Sequence, residues 1–175
     1  KVSDYTYDEI QKLNLVDRSG NVTPYKIPTL KQILEWGKDK VVFNFDNKYI
    51  NTKGVSDEVK KASLDYYIKQ LSPGGDWSMY HNIMLSVRSI DEALYYWNHG
   101  IHNVMFCVEI SSEEHFEAYD KCDIPWDHIM AYVRLAVNPE LYGVYKKLHD
   151  RGVMTMTSIT GSSDKVKNAK DRRIA

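Results

Sequence analysis

The fold is decided by the stretch Val41-Val42-Phe43-Asn44-Phe45-Asp46-Asn47-Lys48, which has the pattern of a β-strand that turns polar at its C-terminal end. Side chains alternate between the two faces of a strand, so Phe43 and Phe45 share one face while Asp46 and Lys48 share the other. The aromatic face suits packing under helices. The polar face places a carboxylate beside an ammonium group, at the strand end where parallel α/β folds build their active sites.

The pair formed by Asp46 and Lys48 has two interpretations. Mg2+ and Ca2+ prefer hard oxygen ligands, and a lysine neutralises a phosphate, so the pair suits a divalent metal next to a phosphate group. The alternative is an ordinary ion pair at the end of a strand. The spacing alone leaves both interpretations open.

Short β-branched and aromatic runs alternate with amphipathic stretches along most of the chain. This pattern predicts strands over Val41–Asn47, Ile83–Val87, Asn103–Val108, His128–Val133 and Val153–Thr157. It predicts helices over Thr6–Asn14, Pro28–Trp36, Ser56–Leu71, Ile90–Asn98, Ser112–Lys121, Pro139–Arg151 and Ser162–Arg173. Strand–helix–strand repetition implies parallel strands with right-handed crossovers, hence an α/β fold. Either an open five-stranded sheet or an incomplete (β/α)8 barrel satisfies it, since a complete barrel takes about 250 residues.

The ends of several predicted helices are marked by residues with a known preference for those positions. Ser89 and Ser112 are suited to N-caps because acidic residues follow each of them in the first helical turn. Gly100 and Gly152 stand where helices are expected to stop. These signals fix the alternation of helices and strands more firmly than the apolar pattern alone.

Composition limits the possible functions. The 175 residues include 23 Lys and Arg against 24 Asp and Glu, for a net charge of −1, and a broad nucleic-acid surface normally needs an excess of basic residues. No stretch approaches 18 consecutive apolar residues, so the sequence predicts no transmembrane segment. The two cysteines, Cys107 and Cys122, are too few for a disulfide framework and lack metal-binding spacing.

Three blocks near the start of the chain resemble the glycerophosphodiester phosphodiesterase family. Tyr5–Leu13, Ile27–Leu34 and Val41–Lys48 follow one another as do the family patterns T-x-x-E-[LI]-x-x-L, [IV]-P-T-L-x-x-[VIL]-L and a strand that ends in [ED]-x-K. The stretches Ile83–Arg88, Ile129–Val133 and Leu148–Thr157 resemble later strands of the same family. The order and spacing of the blocks make the resemblance more specific than any one of them.

The resemblance implies a fold, a reaction and two site residues. Residues 1–175 would form a single partial domain, an incomplete TIM-type barrel with the third to seventh strands and without the first two or the last. Enzymes of this family hydrolyse glycerophosphodiesters to an alcohol and glycerol phosphate with a divalent metal, here Mg2+ or Ca2+. By resemblance, Asp46 would ligate the metal, where most relatives have Glu, and Lys48 would be the catalytic lysine that binds the phosphate. The family's His-Arg-Gly and Glu-x-Asp motifs, which belong to its first two strands, do not occur in this sequence.

Four further polar residues stand at or just past predicted strand ends: Arg88, Glu109, Arg134 and Thr157. Their position predicts that they line the substrate pocket, with Arg88 or Arg134 gripping a phosphate or glycerol hydroxyl groups. The alternative is that they are solvent-facing starts of loops.

The sequence therefore predicts metal-dependent hydrolysis of a small glycerophosphodiester by the intact protein, although this chain lacks the acid and base histidines. The alternative from another class is a non-catalytic domain of the same barrel type that binds phospholipid headgroups or glycans, or serves as a scaffold. A barrel that lacks three strands exposes two unpaired parallel edges, so we also expect that copies of the chain can pair to cover them.

Overall fold

The computed structural model describes residues 2–48, 53–72, 76, 81–133 and 141–156. The chain divides into two compact units, Lys1–Lys38 and Asp39–Ala175. Among the described residues, no helix has both the length and the apolar character that crossing a membrane requires.

The first unit is helical. Its elements are a short 3-10 helix, Val2–Asp4, and two α-helices, α1 (Tyr7–Lys12) and α2 (Leu30–Gly37). Both α-helices begin with a capping box, in which the N-cap hydroxyl accepts a backbone N–H and the side chain three residues later returns a bond to the N-cap N–H. Thr6 and Glu9 form the first box, and Thr29 and Gln32 form the second. The sequence pattern places both helices correctly but extends α1 two residues too far, to Asn14.

The second unit alternates strands and helices. Its elements are β1 (Phe43–Asp46), α3 (Asp57–Leu71), β2 (Ile83–Val87), α4 (Ile90–Asn98), β3 (Met105–Glu109), α5 (Glu113–Asp120), a 3-10 turn (Trp126–His128), β4 (Ile129–Tyr132), α6 (Tyr142–Asp150) and β5 (Met154–Met156). The five strands form one sheet in the order β1-β2-β3-β4-β5, and every neighbouring pair is parallel. The predicted parallel α/β fold is therefore confirmed.

One face of this sheet holds the core. Leu85, Phe106 and Ile129 are aligned across β2, β3 and β4 and are at most 2% exposed. Helix α4 packs on this face, since the rings of Tyr96 and Trp97 lie against that of Phe106 at centroid distances of 6.4 and 6.5 Å. Because side chains alternate, the residues between these core positions point to the other face of the sheet.

Strands β1 and β3 differ from their predicted bounds. The strand predicted from Val41 begins at Phe43, because the N–H of Phe43 bonds the carbonyl of Asn82 immediately before β2 and thereby sets where pairing starts. Strand β3 runs from Met105 instead of Asn103 and includes Glu109. The helix predicted over Ser162–Arg173 lies outside the described residues, as do the first residues of the one predicted from Pro139.

Candidate functional site

Three charged side chains meet at the carboxyl end of β1 and β2. The Asp46 carboxylate accepts hydrogen bonds from Nη2 of Arg88 at 2.8 Å to Oδ1 and 3.0 Å to Oδ2. The Nζ of Lys48 also donates to Oδ2 of Asp46. The register explains the meeting, because Asp46 is aligned with Ser86 and Arg88 lies two residues further on the same face. Sequence reasoning predicted Asp46 and Lys48 together, and the structure adds Arg88 to them.

The two cations keep Asp46 ionised. Partial burial alone raises the pKa of the Asp46 carboxyl, but the hydrogen bonds and charges of Lys48 and Arg88 outweigh it, so the pKa lies below its ordinary value. The side chain of Asp46 is 33% exposed, against 49% for Arg88 and 75% for Lys48. The cluster therefore has two cationic groups within reach of solvent and of a ligand.

The side chain of Asn47 anchors the end of β1 to helix α3. Asn47 is 6% exposed, and its Nδ2 donates to Oγ of Ser63 on α3 at 2.8 Å. The hydroxyl of Ser63 donates in return to Oδ1 of Asn47 at 3.2 Å. Since Asn47 stands between Asp46 and Lys48, its attachment to α3 fixes the strand end that carries both charged residues.

A cavity of about 190 Å³ opens beside the charged cluster. Its walls combine residues from β1, β2, β3, β4 and β5: Asp46, Ser86, Val87, Arg88, Cys107, Glu109, Tyr132 and Met156. The hydroxyl of Ser86 donates to Oδ1 of Asn44 at 2.8 Å across the strand pair. Burial raises the pKa of the Cys107 thiol, and a hydrogen bond with Ser86 offsets this only in part, so the thiol is protonated at neutral pH.

A second cavity, of about 310 Å³, shares Arg88 and Glu109 with the first. The remaining wall comes from the start of α4 and from one side of α5: Ser89, Ile90, His115, Ala118 and Tyr119. Glu109 accepts a hydrogen bond from the hydroxyl of Ser111 at 3.1 Å. The two cavities surround Arg88, so a ligand bound by this guanidinium has room for substituents on either side.

The described residues do not by themselves form a divalent metal site. Both oxygens of Asp46 are engaged by Arg88, and one is also engaged by Lys48. Within the described part of the chain, no group of three or more His, Cys, Asp or Glu residues is arranged to hold a metal ion. Mg2+ and Ca2+ bind through several oxygen ligands. A divalent metal at Asp46 would therefore need further oxygen ligands beyond the described residues.

The predicted site residues fall into two groups. Asp46, Lys48, Arg88 and Glu109 lie together around the first cavity or at its edge. Arg134 and Thr157 lie outside the described residues, so their predicted roles stay predictions. Sequence reasoning missed Asn47, Ser86 and Cys107, although Ser86 and Cys107 stand two positions before Arg88 and Glu109 and follow from the strand period.

Three histidines have structural partners away from the charged cluster. His99 Nδ1 contacts the carbonyl of Tyr95 at 2.7 Å, and His102 Nε2 contacts that of Trp97 at 2.9 Å. His128 Nδ1 contacts the carbonyl of Val104 at 3.1 Å. These rings therefore hold helix ends and loops in place. His115 differs, because it lines the second cavity together with Arg88.

Five parallel strands with intervening helices form a β/α fold, and the charged cluster lies at the carboxyl ends of β1 and β2, which is the end of the strands where β/α barrels build their active sites. A solved glycerophosphoryl diester phosphodiesterase from Parabacteroides distasonis ATCC 8503 is similar to this chain, with 33% sequence identity and a TM-score of 0.64. The similarity covers 99% of this chain and 56% of that chain, so the present chain spans little more than half of the solved protein's length. The resemblance indicated by the three sequence blocks is thereby confirmed. No protein-family model and no curated protein matches the chain.

Proposed function

We propose that the charged cluster binds the phosphate of a glycerophosphodiester and that the intact protein hydrolyses this diester to an alcohol and glycerol phosphate. The observation that carries the proposal is the meeting of Asp46, Lys48 and Arg88 at the carboxyl edge of the sheet. The similarity to a solved phosphodiesterase supports it, since it extends over 99% of this chain.

Lys48 and Arg88 have the chemistry that a phosphodiester requires. The phosphate is an anion with two non-bridging oxygens, and a guanidinium group pairs with such oxygens through well-directed N–H groups. Negative charge builds on these oxygens as water attacks phosphorus. Cations already fixed in place stabilise that charge without reorganisation at the moment of reaction. Asp46 holds the two cations in position before the substrate arrives.

The divalent cation is a separate part of the proposal. A bound Mg2+ or Ca2+ would polarise the phosphate, with Asp46 as one ligand and the others from outside the described residues. Asp46 would then exchange at least one of its present hydrogen bonds for the metal. Glu109, Arg134 and Thr157 are proposed to contact the glycerol or alcohol portion of the substrate, of which Glu109 lines both cavities.

The proton transfers are not assigned to the described site residues. Hydrolysis breaks the bond between phosphorus and the alcohol oxygen, so a base must take a proton from water and an acid must give one to the alcohol. The family resemblance implies two histidines for this work, in motifs that this sequence does not contain.

The non-catalytic alternative is favoured by a specific observation. The described cluster contains two cations and one carboxylate, and His99, His102 and His128 contact main-chain carbonyl groups elsewhere. Such a cluster can bind a phosphate headgroup without transferring a proton. Under this alternative the intact protein binds glycerophosphodiesters or glycerol phosphate and leaves them unchanged.

One experiment separates the two functions. The intact protein is incubated with glycerophosphocholine and glycerophosphoethanolamine, with Mg2+, Ca2+ or a chelator, and released glycerol phosphate is measured. Asp46→Asn and Lys48→Met test the cluster. Asp39→Asn and Lys69→Met are matched controls, because they make the same chemical changes at exposed positions outside it.

The possible outcomes distinguish the hydrolase from the binding domain. Turnover that is lost in Asp46→Asn and Lys48→Met, but kept in the controls, supports the hydrolase. No turnover, with binding of sn-glycerol 3-phosphate that Lys48→Met abolishes, supports the binding domain. If the protein shows neither turnover nor binding, both functions are refuted. Turnover that persists in the presence of chelator contradicts the proposed requirement for a divalent metal.

A further inference from the structure

Glu92 is a buried carboxylate directly behind Arg88. Glu92 is 5% exposed, and the other buried polar residues in the described part of the chain are the uncharged Asn47 and Ser72, at 6% and 8%. Burying an ionisable group is unfavourable unless it is paired or hydrogen-bonded. The position of Glu92 therefore requires a structural explanation, which its contacts provide.

The contacts of Glu92 close the turn between β2 and α4. Its Oε2 accepts a hydrogen bond from the backbone N–H of Arg88 at 2.8 Å. Its own N–H donates to Oγ of Ser89 at 3.2 Å. Arg88 is the first residue after β2, where the sheet's hydrogen bonds end. The carboxylate thus binds the main chain of the residue whose guanidinium group holds Asp46.

The first unit of the chain also has hydrogen bonds between a side chain near a helix start and the backbone N–H just before that helix, but they lie far from the charged cluster in sequence. Glu9 accepts a hydrogen bond of the same length, 2.8 Å, from the backbone N–H of its N-cap Thr6, whereas Glu92 bonds Arg88, the residue before its N-cap Ser89. Glu9, however, is solvent-exposed, and Gln32 makes the equivalent contact to Thr29 without a charge. Closing a helix start therefore needs neither burial nor a carboxylate. What distinguishes Glu92 is its burial behind a site arginine.

Buried groups connect Glu92 with the other half of the cluster. Tyr96 lies one turn further along α4 and is 2% exposed. Burial raises the pKa of the Tyr96 hydroxyl, and the side chain of Asn47, the residue between Asp46 and Lys48, offsets this in part. The same helix thus bonds the end of β2 through Glu92 and carries a buried hydroxyl that senses the end of β1.

We propose that Glu92 is a positioning residue of the candidate site, whose carboxylate oxygen fixes the main chain of Arg88 so that the guanidinium group reaches Asp46 and the incoming phosphate. The part that concerns phosphate rests on the proposed function. The part that concerns Arg88 and Asp46 does not. The role belongs to the acceptor oxygen, so glutamine should replace glutamate while an apolar residue of similar length should not.

The first test needs no ligand. Exchange of the Arg88 guanidinium protons with solvent is measured by nitrogen-15 NMR in the intact protein, in Glu92→Gln and in Glu92→Met. We expect at least tenfold faster exchange in Glu92→Met and less than threefold in Glu92→Gln. Glu9→Gln and Glu9→Met make the same changes at the exposed contact and should leave Arg88 unaffected. If Glu92→Met does not fold, Ser89→Ala removes the other half of the closure and should speed exchange at least threefold.

Two results would overturn the positioning role. Equal exchange in Glu92→Met and the wild type means that Arg88 holds its place without the carboxylate. Equal acceleration in Glu92→Gln and Glu92→Met means that the acceptor oxygen is not what matters.

The second test measures binding of sn-glycerol 3-phosphate by calorimetry. We expect Glu92→Met to weaken binding at least tenfold and Glu92→Gln less than threefold. Unchanged binding in Glu92→Met refutes the phosphate part of the role. A wild type that binds no sn-glycerol 3-phosphate instead counts against the proposed function, and the exchange measurement still decides whether Glu92 positions Arg88.

Discussion

Replacing Glu92 by glutamine should make the protein more stable at alkaline pH and leave it little changed in acid. Burial raises the pKa of the Glu92 carboxyl from 4.5 to about 7, and the backbone hydrogen bond and charge of Arg88 offset this only in part. The folded state therefore keeps a proton on Glu92 where the unfolded chain has lost it. Stability falls as pH rises wherever the native state binds more protons than the unfolded state.

The magnitude follows from the size of that difference in pKa. One pKa unit corresponds to about 1.36 kcal/mol, so Glu92 lowers the free energy of unfolding by about 3 kcal/mol between pH 4 and pH 8. Glutamine keeps an oxygen for the N–H of Arg88 but cannot ionise. Any difference in packing between the two side chains is independent of pH, so it shifts the whole curve and leaves its slope unchanged.

The free energy of unfolding is measured at half-unit steps of pH by urea unfolding, which is followed by tryptophan fluorescence. The wild-type curve should fall relative to Glu92→Gln from about pH 4.5 to pH 7 and then run parallel to it. Glu9→Gln is the control, because hydrogen bonds from Thr6 lower the pKa of Glu9. Loss of the Glu9 carboxylate should therefore change the pH dependence of stability in the opposite direction. Parallel curves for the wild type and Glu92→Gln over the whole range would refute the effect of burial.

Three further substitutions test the fold around the site. Phe106→Ala should lower the free energy of unfolding by about 3–5 kcal/mol, because the side chain is fully buried under α4, as measured by urea unfolding. Gly152→Ala should cost about 1–2 kcal/mol in the same assay, because Gly152 has a φ of 68° while no neighbouring atom obstructs a Cβ there. Asn47→Ala should cost about 1–3 kcal/mol by removing the part-buried hydrogen bonds between Asn47 and Ser63, and a cost equal to that of an exposed Asn14→Ala would contradict this anchoring role.

The sequence predicts some elements of this fold to the residue and others only by position. Strand β2 and helix α4 match their predicted bounds, because a single residue, Arg88, separates the strand from the Ser89 N-cap and both signals are local. Strand β1 is shorter than predicted, because its start depends on where β2 begins. An apolar run shows which residues favour a strand, but the pairing partner decides how many of them form one.

The same distinction holds for the candidate site. Asp46 and Lys48 are two residues apart, so the strand period is enough to bring them together. Arg88 is 42 residues from Asp46, and its contact depends on the register between β1 and β2. Glu92 stands three residues after a Ser N-cap, which is a visible capping-box spacing, yet its burial depends on the packing of α4 and has no local signal.

The order of the strands in the sheet is also their order along the chain. Among the five described strands, each one after β1 therefore pairs with the strand that was synthesised just before it. Pairings between near neighbours in sequence keep the entropy of loop closure low and favour rapid folding. The charged cluster has all three of its members once β2 and Arg88 have been added to β1, and Glu92 on α4 follows four residues later. The cluster can thus assemble during translation, before β3, β4 and β5 are joined to the sheet.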